Sequence, residues 1–126
     1  MEWVKKLFGV GAPPRTAFDE AKEIGGKLVV NGYRRLGAAN GCAPTSKTSD
    51  ERILELYAKV AAAFQATAAK RGERIPAPML NYIVWKFLLV EEMLGPAMVD
   101  PHLAYEVEKY ASEGLRPDYK QEIRLF

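Results

Sequence analysis

The sequence predicts an all-α protein: a compact bundle of three to four helices with an extended C-terminal tail. Two observations support this prediction. Apolar residues recur at steps of three and four along most of the chain, which is the period of an amphipathic helix. Runs rich in glycine, proline and small polar residues, at 11–14, 37–49, 71–78 and 95–101, divide the chain into segments of helical length. We therefore expect helices at about 17–35, 49–70, 78–94 and 101–113.

The clearest predicted helix is 49–70, in which the apolar stripe includes Ile53, Leu56, Tyr57, Val60 and Phe64. Thr48 and Glu51 have the spacing of a capping box, T-x-x-E, at its start. Gly72 is placed to end it, because glycine adopts the left-handed conformation that follows many helices. These signals predict both ends of the helix.

The helix at 17–35 is predicted with an alternative. Gly25 and Gly26 each cost about 1 kcal/mol in a helix interior relative to alanine. A break at these glycines, with 27–33 as a short extended piece, is therefore the second interpretation. We favour a helix because a lone strand has no partner elsewhere in this chain.

The last helix, 101–113, is predicted from its end signals. Asp100 is expected to cap it, Pro101 suits the first helical position and Gly114 ends it. The tail that follows carries Leu115, Tyr119, Ile123, Leu125 and Phe126, which a disordered segment has little reason to contain. The tail is expected to form a strap over the domain or an arm on a neighbour.

The helix at 78–94 is apolar on nearly all sides. From Met79 to Val90 only Asn81 and Lys86 are strongly polar, yet the run is shorter than the ~20 residues of a membrane span. Such a helix must be covered on most sides, and three other helices are few for that task. We therefore predict an interface with a second copy or another protein, with these candidate residues: Tyr82, Trp85, Leu89 and Phe126.

Length and composition limit the classes of protein to consider. The 126 residues fit one domain at 16–126, preceded by a segment at 1–15 whose Trp3 and Phe8 are expected to pack on the body or on a neighbour. With a net charge of +2, positive and negative residues are nearly balanced, and this balance does not require nucleic acid or a membrane surface as partner. The segment lacks a secretory apolar run, and the lone Cys42 fits a reducing compartment, so a cytoplasmic location is expected.

The loop at 41–48, "GCAPTSKT", differs by one residue from the phosphate-binding pattern G-x-x-x-x-G-K-[ST], because Ser46 replaces the second glycine. No apolar strand precedes it and no βαβ pattern follows, so nucleotide binding is not expected. A simpler anion site remains an alternative, since a helix start offers free N–H groups. Its candidate contacts are Lys47, Thr48, Arg34 and Arg35.

Candidate catalytic groups are few. His102 and Glu106 are one helical turn apart and could share a metal ion, but one histidine cannot form a histidine-rich site. Cys42 has no base beside it in sequence, so an ordinary loop thiol is expected. We predict no metal and no cofactor.

Two functional hypotheses follow. The first is a soluble helical protein-interaction or regulatory module without catalytic activity, self-associating or bound to a protein partner. The alternative is a binding domain for an anionic ligand, either nucleic acid or a phosphate-bearing small molecule, that uses the 41–48 loop and the basic pairs.

Overall fold

The computed structural model describes residues 17–41 and 47–125, with side chains from Gly25 onward. Within that part the chain forms four α-helices and no strand, which confirms the predicted all-α bundle. The helices are α1 (Ala17–Ala39), α2 (Asp50–Lys70), α3 (Ala77–Leu94) and α4 (Val99–Glu113). Short 3-10 helices follow α3 at Pro96–Met98 and α4 at Pro117–Lys120.

The first helix is longer than predicted and has no break. It runs without interruption through Gly25 and Gly26 to Ala39. At Gly26 a β-carbon would lie 3.2 Å from Cδ2 of Leu54, so the missing side chain lets α1 approach α2 closely. Tertiary packing therefore offsets the helix-weakening effect of this glycine.

Both ends of α2 can be compared with the sequence signals. The cap of α2 is Ser49, whose Oγ accepts from the N–H of Arg52 at 3.2 Å, so the capping box assigned to Thr48 and Glu51 is wrong. Gly72, with φ of 70°, ends α2 as predicted, and the N–H of Glu73 reaches the carbonyl of Ala68 at 2.8 Å.

The start of α4 also differs from the prediction. The 3-10 turn after α3 leads directly into α4, which begins at Val99 and places Asp100 inside its first turn. The carboxylate of Asp100 therefore does not cap the helix but pairs with Lys59 at 2.8 Å. Gly114, with φ of 89°, follows the last helical residue as expected.

The core centres on the ring of Phe64 in α2. Its centroid lies 6.2 Å from that of Phe87 in α3, 6.0 Å from Tyr110 in α4 and 6.0 Å from Tyr119 in the tail. Such aromatic pairs add to the stability from area burial. Four parts of the chain thus meet at one residue.

Residues 115–125, here called the C-terminal strap, lie over the bundle. Arg35 of α1 donates to the carbonyl of Leu125 at 2.7 Å. Leu125 is buried against Gly32, where a β-carbon would lie only 2.7 Å from the Cβ of Leu125. The side chain of Tyr119 is also buried. Of the two predicted roles of the tail, the structure shows the first, a strap over its own domain.

Candidate functional site

Helix α3 carries the predicted interface residues, and they differ in exposure. Tyr82 is buried, with its ring centroid 6.1 Å from that of Trp85 and 6.4 Å from that of Tyr119 in the strap. Trp85 and Leu89 are half-buried. Phe126 lies outside the described residues. Tyr82 is thus covered by its own chain, and the interface role of the whole set stays a prediction.

The C-terminal end of α3 is the most exposed apolar part of the structure. The helix ends at Gly95, whose φ of 97° turns the chain away, with its N–H donating to the carbonyl of Glu91 at 2.8 Å. Met93 is 75% exposed, Leu94 60% and Met98 45%. These three side chains are called the apolar cluster below.

The sequence reasoning missed the apolar cluster, although a signal for it was present. Met93 and Leu94 stand immediately before Gly95-Pro96, and Met98 follows two residues later. An apolar residue next to a turn projects beyond the end of the bundle, where few elements can cover it. The run "MLGPAM" combines both features and therefore predicts exposed apolar surface.

Ion pairs fix the surroundings of the cluster. Arg52 of α2 donates through Nε to Oε1 of Glu91 at 2.8 Å and through Nη1 to Oε1 of Glu55 at 2.8 Å. These hydrogen bonds, chiefly the one to Glu91, raise the pKa of Arg52. The hydrogen bond from Lys59 lowers the pKa of the Asp100 carboxyl. Helices α2, α3 and α4 are thereby linked beside the cluster.

The candidate anion contacts are only partly brought together. Arg34 donates through Nη2 to the carbonyl of Thr48 at 2.8 Å and through Nε to Asp50 at 3.0 Å. Lys47 is exposed. Arg35 instead reaches the C-terminal strap at Leu125. Arg34 and Thr48 are therefore neighbours, whereas Arg35 is engaged elsewhere, and a carboxylate already accepts from Arg34.

The residues considered for chemistry have structural contacts. The carboxylate of Glu106 is 2% exposed; it accepts from the Tyr119 hydroxyl at 2.9 Å and from Arg116 at 3.1 Å. The ring of His102 lies 5.2 Å from that of Phe87. Within the described ranges no group of three potential metal ligands is present. Cys42 lies outside these ranges.

A second polar contact joins α4 to the loop that follows α2. The hydroxyl of Tyr110 donates to Oε1 of Glu73 at 2.8 Å, and Arg71 donates to the same carboxylate at 3.1 Å. Burial, followed by the hydrogen bond to Glu73, raises the pKa of Tyr110 to about 12. Arg71, followed by Tyr110, lowers the pKa of Glu73. Tyr110 is buried, and its hydroxyl has the hydrogen-bond partner that a buried polar group requires, whereas the Glu73 carboxylate that accepts from it is exposed.

Comparisons of the chain with protein-family models, with curated proteins and with solved structures found no match. Among the helices of the described ranges, none is both long enough and apolar enough to cross a membrane. The exposed surface and its chemistry are therefore the remaining indications of function.

Proposed function

We propose that this chain is a non-catalytic, self-associating protein-interaction module that binds through the C-terminal end of α3. The observation that carries the proposal is the clustering of exposed apolar side chains. Of the five large apolar residues exposed in the described part, three form the apolar cluster within six residues of sequence. Scattered exposed apolar residues are ordinary, but a contiguous group is typical of a contact surface.

The predicted interface residues extend this surface. Trp85, Leu89 and Met93 are spaced by four, so they follow one another along the same side of α3. Their exposure rises along the helix, from two half-buried side chains to a fully projecting one. A partner helix laid along this side would contact all three, which is the usual way in which an amphipathic helix binds a groove or ridge.

The size of the surface sets the strength of binding. Three partly exposed side chains supply on the order of 300 Å² of apolar area, the size of the largest patch on a typical monomer. A stable interface buries about 800 Å² on each partner. We therefore expect self-association to be weak and reversible, with a dissociation constant in the micromolar range or above.

Sedimentation equilibrium tests the proposal. The wild type should show an average mass that rises with concentration, and the double variant Met93→Ser, Leu94→Ser should shift towards monomer at every concentration. The matched control is Leu28→Ser on α1, which removes a leucine that is 50% exposed and outside the cluster. The control should associate like the wild type.

Two results would contradict the proposal. The first is a wild type that remains monomeric at millimolar concentration. The second is an equal loss of association in the cluster variant and in the Leu28→Ser control. Circular dichroism on each variant separates a change in association from a change in fold, because both sites are exposed and should tolerate serine.

The anion-binding alternative has weaker support. A ligand phosphate at Lys47 and Thr48 would have to compete with Asp50 for the guanidinium of Arg34. Binding to a generic oligonucleotide should therefore be slight at any salt concentration. A steep loss of affinity with rising salt, corresponding to several released ions, would favour this alternative instead.

A further inference from the structure

The residues around the apolar cluster are mainly acidic. Glu91 and Glu92 directly precede Met93 in α3, Asp100 follows Met98 by two residues, and Glu55 shares Arg52 with Glu91. Among the residues that the structure describes, Arg52 and Lys59 are the two bases that pair with these four carboxylates, so the group has a net charge of −2. Glu92 is exposed and has no ion pair within the described ranges. An occupant of this surface should therefore combine apolar side chains with positive charge.

The chain contains a segment with this chemistry. Residues 3–8, "WVKKLF", hold four apolar side chains, Trp3, Val4, Leu7 and Phe8, next to Lys5 and Lys6. These residues lie before the described part, which begins at Ala17. The segment thus matches the cluster in both hydrophobicity and charge.

The connecting residues are long enough for the segment to reach the cluster. Residues 9–16 separate Phe8 from the start of α1, and nine steps of about 3.4 Å span on the order of 30 Å. A 126-residue domain has a radius of gyration of about 14 Å. The reach is therefore comparable with the diameter of the whole domain.

The tether also removes the difficulty posed by the small area of the cluster. An area on the order of 300 Å² is too small for a stable dimer of two free copies. A segment attached through a short linker has an effective concentration in the millimolar range. A contact that holds a free partner only weakly is then sufficient to hold the chain's own segment.

We propose that residues 3–8 dock intramolecularly on Met93, Leu94 and Met98, and so compete with any protein partner for this surface. The inference rests on the proposed function in one respect, since it treats the apolar cluster as a contact surface. It adds that the occupant belongs to the same chain. Displacement of the segment would then be a condition for binding.

Paramagnetic relaxation tests this docking in the full-length chain. A nitroxide is attached at Glu2→Cys in a Cys42→Ser background, and the ε-methyl signals of the four methionines are recorded. The signals of Met93 and Met98 should lose most of their intensity. The internal control is Met79, which is fourteen residues from Met93 along α3, or about 21 Å at 1.5 Å per residue, and should keep its signal.

A charge-reversed variant sharpens the test. Lys5→Glu combined with Lys6→Glu should reduce the loss of intensity at Met93 and Met98 at least twofold. The matched control, Lys120→Glu with Arg124→Glu, reverses two exposed charges in the strap and should leave the loss unchanged. Equal effects of both variants would overturn the assignment of the segment's lysines to the acidic rim.

Two other outcomes would overturn the proposal. One is full intensity at Met93 and Met98 in the labelled chain. The other is an equal loss in a mixture of spin-labelled chains with separately isotope-labelled chains, which would place the segment on a second copy. Sedimentation of the cluster variant decides the proposed function separately, because that measurement reports the mass of the assembly and not the position of residues 3–8.

Discussion

The two ends of α3 have similar apolar composition but different surroundings. At the N-terminal end Tyr82 is covered by the strap residue Tyr119, whose hydroxyl is held by the buried carboxylate of Glu106. At the C-terminal end Met93 and Leu94 project beyond the bundle. The comparison shows that position in the fold, and not residue type, decides whether an apolar side chain contributes to stability or remains available for contact.

The largest expected difference between the two regions concerns truncation of a large side chain. Phe64→Ala removes the fully buried ring at the centre of the core and should lower the free energy of unfolding by about 3–5 kcal/mol. Leu94→Ala, at the exposed end, should change it by less than about 0.5 kcal/mol. Urea unfolding measures both. Similar losses would show that the end of α3 is part of the core.

Removal of the hydroxyl of Tyr119, a residue of the C-terminal strap, should have the next largest effect. Tyr119→Phe leaves the buried carboxylate of Glu106 with one hydrogen bond fewer and should cost about 2 kcal/mol. Tyr105→Phe is the control, since it removes the same atom from a side chain that is 54% exposed. Chemical denaturation of the pair gives the difference directly. An equally stable pair would mean that Tyr119 does not hold the strap.

High pH should weaken the packed interior around Tyr110 and not the exposed end of α3. Because burial raises the pKa of Tyr110 to about 12, its contribution to stability is complete below the ordinary tyrosine pKa of about 10 and is lost as the pH rises towards 12. The free energy of unfolding should fall by on the order of 1–2 kcal/mol from this cause. The variant Tyr110→Phe has no hydroxyl to ionise and should not show this part of the fall. Unfolding measured across this pH range tests it, and parallel curves for Tyr110→Phe and wild type would contradict it.

The smallest effect is expected from two glycines of α1. Gly32→Ala places a methyl group against Leu125 and should cost roughly 1 kcal/mol, because the strap must shift. Gly25→Ala meets no atom within 4 Å and should stabilise the helix by roughly 0.5–1 kcal/mol. Thermal unfolding of the two variants shows whether each substitution lowers or raises the stability. A gain at both positions would show that Leu125 is not held tightly against α1.

Much of the fold could be predicted because its signals are local. The period of apolar residues along α2 and the glycines at 72 and 114 depend only on nearby positions, and both glycines adopt the expected positive φ. The uninterrupted path of α1 through Gly26 could not be predicted in the same way. It depends on Leu54, which lies 28 residues away in sequence.

The candidate site was predicted less well for a similar reason. The sequence shows that α3 has excess apolar surface, but it does not show which side the strap covers. Tyr82 contacts Tyr119, 37 residues later, and this long-range packing buries one of the predicted interface residues. The exposed end follows from a geometric fact, the turn at Gly95, that a helical period alone does not contain.

The indole N–H of Trp85 is buried and has no acceptor among the residues that the structure describes. A half-buried tryptophan with its N–H buried should emit at shorter wavelength than one fully in water. The chain has only one other tryptophan, Trp3, in the N-terminal segment. The natural fluorescence of the protein therefore has two sources. Trp85 reports on α3 beside the covered residue Tyr82, and Trp3 reports on the segment proposed to dock at the exposed end of the helix.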